Sequence, residues 1–312
     1  MRRKIVGLGL FVMLIGALIA AWPHPLLADA RLFQLETRDG IRNRVIVYRP
    51  DKPVAALVLF PDGSGRLELT HVFNRPDIGR HREIPFALMG NLLERNIMIV
   101  LPDTPLDHSS HLGLNGWHGS GIFRISADHA QDVREIVAFI KSGEDIPVWL
   151  AGIRMGAFSA TNAAIRLGNV VDGLIIAGGI TQCPEQRTLL HLCPEGLMGM
   201  DLFDITVPTL VLSGGSDDPF TGDPYPETMI SSALSRAPSV RARIYPAIVD
   251  FESWDQLPPG PETLTGVSED RVAWEMVNFI QGHQPVKPAQ PGSPAAPNRP
   301  LTPMGKLFIC LY

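Results

Sequence analysis

Apolar, β-rich runs recur along this chain, at residues 44–48, 55–60, 97–101, 148–151, 173–177, 209–212 and 242–245, and several of them are uninterrupted. Runs of Val, Ile and Leu without polar alternation suit strands covered on both faces, as in a parallel sheet flanked by helices. Between them the apolar spacing lengthens to the helical period, over residues 85–95, 127–141, 156–167, 227–236 and 269–281. In the second of these, Val133, Ile136, Val137 and Ile140 fall on one stripe, and Ser126 stands where an N-cap belongs. Strand–helix alternation over about 240 residues predicts an α/β fold, a doubly wound and mostly parallel sheet in one domain spanning residues 31–282. Residues 32–35 and 44–48, separated by Asp39-Gly40, predict an antiparallel hairpin at the amino-terminal edge of that sheet.

Both ends of the chain break this pattern. Arg2, Arg3 and Lys4 precede an uncharged apolar run from Ile5 to Trp22, and Ala28-Asp29-Ala30 then gives a small-x-small site. Residues 1–30 therefore read as a signal peptide cleaved near Ala30, which places the domain in the periplasm or outside the cell. The alternative is an uncleaved inner-membrane anchor with the domain facing the periplasm, since about 18 apolar residues approach a bilayer span. At the other end, Pro285, Pro288, Pro291, Pro294, Pro297, Pro300 and Pro303 recur at every third residue. That period matches the three-residue turn of polyproline II, so residues 283–312 read as a disordered or semi-rigid tail.

Charge and cysteine use narrow the function classes. The 27 Lys and Arg against 32 Asp and Glu give a formal charge of −5, and beyond the leader no basic cluster remains to neutralise phosphates. Nucleic acid is not an expected partner, and the only membrane association expected is through an uncleaved leader. Of the three cysteines, Cys183 and Cys193 are close enough in sequence to form a disulfide in an oxidising compartment, the alternative being two buried thiols. Cys310 has no evident partner. No C-x-x-C spacing points to zinc, and no G-x-G-x-x-G after a strand or P-loop lysine points to an organic cofactor, so none is expected.

The segment most informative about chemistry is Gly152-Ile153-Arg154-Met155-Gly156, where a buried strand run passes directly into a helical one. It resembles the nucleophile elbow of the α/β-hydrolase family, Gly-x-Ser-x-Gly, with arginine where the family has serine. The resemblance extends over most of residues 45–280. Phe60-Pro61-Asp62-Gly63-Ser64-Gly65 is similar to the family's loop that lends an oxyanion-hole N–H, which implies Asp62 or Gly63 as one donor and Met155 as the other. Ser213-Gly214-Gly215-Ser216-Asp217-Asp218-Pro219 matches the family's acid turn, which implies Asp218 as the acid, or Asp217. The overall likeness is to a small exported bacterial esterase near the dienelactone-hydrolase branch, acting on a small ester, lactone or thioester.

Two of the three triad positions depart from that pattern. No histidine lies between Asp218 and the last helix, and His283 comes only at its end. A guanidinium stays protonated at physiological pH and offers no lone pair for attack on a carbonyl. The expectation is therefore an exported α/β-hydrolase-like protein with impaired catalysis. Arg154 would pair with Asp217, Asp218, Asp250 or Glu252, or would clamp an acidic ligand. One alternative is a binding module without turnover. Another is an active hydrolase using unconventional residues, for example a metal site at His108, His111 and His118, although that spacing matches no familiar ligand set and the three also read as loop histidines. Residues 181–203 occupy the place of a lid, with Leu197, Met198 and Met200 among its apolar residues, which equally suit the core.

Overall fold

A computed structural model describes residues 30–63, 65–72, 75–79, 84–109, 123–179, 196–214, 226–245 and 269–283. The leader, Cys183, Cys193, Cys310, Asp217, Asp218, Asp250, Glu252, His111, His118 and the proline-rich tail lie outside the described residues.

Each of the seven apolar runs from residue 44 to 245, and the segment at 32–35, becomes a strand. They are β1 (Ala30–Arg38), β2 (Ile41–Tyr48), β3 (Ala55–Phe60), β6 (Ile97–Pro102), β7 (Val148–Ile153), β8 (Gly173–Ala177), β9 (Thr209–Gly214) and β10 (Val240–Tyr245). Together they form one eight-stranded sheet in the order β1-β2-β6-β3-β7-β8-β9-β10. The strand pairs from β6 to β10 are parallel, whereas β1–β2 and β2–β6 are antiparallel. The predicted hairpin is thus present at the edge, turning through Asp39 and Gly40, whose φ is +69°.

Helices cover both faces, which is why the central strands need no polar residue. On one face Ala56, Val58 and Phe60 of β3 pack with Val133 and Ile136 of α3 (Ala127–Gly143) and with Ala160 and Ala163 of α4 (Gly156–Leu167). On the other, Ala55, Leu57 and Leu59 pack with Met89 and Leu92 of α1 (Phe86–Glu94) and Met276 and Phe279 of α6 (Glu269–Gly282). The strand alternates between two cores at its two-residue period. Between them lie α2 (Leu106–Ser109), before α3, and α5 (Pro226–Ala233), between β9 and β10. Ser126 caps α3 as expected, its Oγ accepting from the His129 N–H at 3.1 Å. Leu197 is fully buried in the first core, with Met198 and Met200 packed against it.

A second, two-stranded sheet pairs β4 (Leu69–Val72) with β5 (Arg75–Ile78). Four-residue strands containing His71, Arg75, Pro76 and Asp77 carry no apolar run, so periodicity gives no sign of them. No helix among the described residues is long and apolar enough to cross a membrane.

Candidate functional site at the strand–helix corner

In the sheet order β3 lies between β6 and β7, so the chain winds away from it in both directions. The loops leaving the carboxyl ends of β3 and β7 meet at this switch point, where doubly wound sheets hold their ligands. The register sets Phe60, the last residue of β3, beside Gly152 in β7.

From Ile153 the chain turns through Arg154 and Met155 into α4 without an intervening loop. A side chain at Gly152 would overlap the backbone of Gly156 and Ala157, and one at Gly156 would overlap the carbonyls of Phe60 and Pro61. Both glycines are therefore required by packing. Arg154 adopts φ +48°, a left-handed conformation rare for a residue with a side chain and costing about 1–3 kcal/mol. Its N–H donates to the Ala177 carbonyl at 2.9 Å, and its own carbonyl accepts from the Ala157 N–H at 2.9 Å. β7 thus passes into α4 through a tight corner, with residue 154 at its apex.

Asp62, in the loop after β3, reaches into this corner. Its Oδ1 accepts from the Met155 N–H at 3.2 Å, and its Oδ2 lies 3.6 Å from the Arg154 Nε. Both side chains are about four-fifths buried, at 20% and 21% exposure. Asp62 is thus a carboxylate facing Arg154 among the described residues. The loop carrying Asp62 supplies an acceptor to the Met155 N–H that the family resemblance assigned to an oxyanion.

Two buried ionic side chains hold the Asp62 loop. Arg124, 3% exposed, donates through Nη2 to the carbonyls of Pro61 and Gly63 at 3.2 and 3.0 Å, the residues on either side of Asp62. Its Nη1 donates to Ser159 Oγ on α4 at 2.9 Å, so one guanidinium ties the loop to the helix that follows the corner. Gly65, at φ +71°, lies flat against that guanidinium, and a side chain there would press into Nη2. Further along, the Asp103 carboxylate accepts from the N–H groups of Leu67 and Leu69 at 2.7 and 3.0 Å and of Thr104 at 2.9 Å. Neither Arg124 nor Asp103 is singled out by the sequence, because a buried ion leaves no periodic trace and depends on partners distant in the chain. The one available signal was the placement of charge beside apolar Phe123 and Pro102.

The described histidines lie elsewhere. His129 is buried between Phe60 and Phe123, with ring centroids 5.5 and 5.0 Å away. Burial, and then the positive charges of Arg124 and Arg38, push its pKa down to about 3, so it is neutral near pH 7. It lines a cavity of about 20 Å³, room for one water, together with Arg124, Asp103 and Ser159, and its Nε2 has no hydrogen-bond partner. His108 stacks on Phe123 at 4.0 Å. His283 packs on Trp149 and Phe279, and Trp149 lies near the start of β7, at the opposite end of that strand from the corner. Among the described residues no group of three His, Cys, Asp or Glu side chains is arranged to hold a metal ion.

Chemically, the corner offers a fixed cation, one backbone N–H and a carboxylate bridging them. It presents no hydroxyl or thiol at residue 154. Ser159 is 1% exposed and engaged by Arg124.

The sequence matches no protein-family model and no curated protein. Solved structures do resemble it. An α/β serine hydrolase without a lid from Xanthomonas campestris aligns over 85% of this chain and 100% of its own, with TM-score 0.51 and 15% identity. A dienelactone hydrolase from Anabaena variabilis aligns over 82% and 100%, with TM-score 0.54 and 14% identity. A thermostable carboxyl esterase from Bacillus coagulans aligns over 82% and 99%, with TM-score 0.52 and 13% identity. Taken with the strand order and the tight β7–α4 corner, these likenesses show that the chain adopts the α/β-hydrolase fold.

Proposed function

We propose that this protein is an exported relative of the small esterases in which acyl-enzyme chemistry at the elbow has been lost and the corner serves to bind. The observation that carries the reading is Arg154 at the apex, in left-handed geometry, with Asp62 bridging its guanidinium and the Met155 N–H. Attack on an ester carbonyl needs an electron pair that an activated hydroxyl or thiol supplies and a guanidinium does not. Stabilising the resulting oxyanion needs donors open to it, and the Met155 N–H is engaged by a carboxylate whose charge would repel that oxyanion. Family resemblance assigns the acid to Asp218, and no histidine follows that residue until His283. Export is supported by the basic, apolar and A-x-A segments of residues 1–30, and the disulfide between Cys183 and Cys193 by the oxidising compartment that export implies.

Hydrolysis of p-nitrophenyl acetate by the native protein and by Arg154→Ala tests this reading. The expected rate is that of a heat-unfolded control for both. Saturable turnover by the native protein overturns the reading.

A further inference from the structure

We propose that the corner is a carboxylate-binding site filled by the protein's own Asp62, an autoinhibitory contact that an external small carboxylate must displace. The inference rests on the corner being catalytically silent, and it names what the corner recognises. Two donors of different kinds converge there, a backbone N–H at Met155 and the guanidinium of Arg154, and each takes a different oxygen of one carboxylate. One contact is a hydrogen bond and the other an ion pair at 3.6 Å, and together they address both oxygens of a planar monoanion. The occupant is a side chain four-fifths buried rather than one left in solvent.

The surroundings make that occupancy a lock. The carbonyls on both sides of Asp62 are held by the buried Arg124, which also grips Ser159 on α4. The loop backbone is therefore fixed relative to the corner, and Asp62 can leave only by rotating its own side chain. An intramolecular carboxylate on a fixed backbone competes at high effective concentration, so free carboxylates bind the native protein weakly. Arg124 is a positioning residue in this arrangement, since it touches the loop and helix rather than the ligand.

The test is a titration of the full chain with sodium acetate, following the Met155 amide by ¹⁵N–¹H correlation, with acetamide as the uncharged control. In Asp62→Ala the amide signal should shift saturably with acetate and not with acetamide, at an affinity about tenfold or more above that of the native protein. Adding Arg154→Gln to that variant should abolish the shift. Asp62→Asn, which keeps the shape and removes the charge, serves if Asp62→Ala fails to fold, and should bind acetate more tightly than the native protein. Equal acetate affinity in native and Asp62-substituted proteins, no binding by either variant, or a shift that survives Arg154→Gln each overturns the proposal. None of these outcomes depends on ester turnover, so the proposal and the silent-elbow reading can fail separately.

Discussion

At residue 154 the backbone geometry is set by the neighbouring glycines rather than by the side chain it carries. Gly152 and Gly156 leave no room for side chains, so the backbone between them must turn sharply whatever residue stands at the apex. Arginine bears the left-handed φ that this turn imposes and lies against the Asp62 carboxylate. A few residues away, His129 shows a different cost. It is buried, neutral and carries an Nε2 without a hydrogen-bond partner. Its folded pKa of about 3 lies below the usual 6.5, so between those values the unfolded chain binds more protons and stability falls as the pH is lowered. The steepest loss from this one group is about 1.4 kcal/mol per pH unit. Replacing it by leucine should flatten the decline between pH 6 and pH 4 in urea unfolding, with little loss at pH 7, because no hydrogen bond of its ring is removed. An unchanged acid limb in His129→Leu would show that the histidine is not the group responsible.

At the scale of elements, the main sheet was legible and the small one was not. The runs at 55–60, 97–101 and 148–151 carry no polar residue because both faces of those strands lie under helices, and that burial is written directly into composition. Strands β4 and β5 are held by contacts that local pattern does not encode, such as Arg44 donating to the Leu69 carbonyl at 2.6 Å. The same division holds within the site. The corner was readable because its two glycines have a steric cause within five residues. The Asp62–Arg154 pair and the Arg124 clamp join residues that are remote in sequence, and they emerge only when β3 and β7 are set side by side. Another such remote link fixes the edge hairpin. Arg38, at the end of β1, grips Asp132 of α3 through Nε and Nη2 at 2.8 and 3.1 Å and Asp107 of α2 through Nη1 at 3.0 Å. Asp132 is 1% exposed, so Arg38→Met would leave a buried carboxylate without its cation. A loss of about 3–5 kcal/mol is expected from urea midpoints, and a loss under about 1 kcal/mol would mean that Asp132 finds another partner or takes a proton.

For the whole molecule, the α/β-hydrolase fold builds a tight β7–α4 corner and sets an arginine at its apex. The sheet order brings the loops after β3 and β7 together at the switch point, α4 starts from a strained apex, and the loop after β3 is locked against that helix. The helices and sheet that form the corner are stabilised by two extensive cores and not by the side chain at position 154, so the fold alone does not fix the chemistry there. The most direct test is intact-mass measurement of the native protein after exposure to a fluorophosphonate, which reacts covalently with activated serine nucleophiles. An unchanged mass is the expected result. A single phosphonyl adduct mapped to any serine of the chain would reveal an activated nucleophile and contradict the reading of Arg154 as the end of that chemistry.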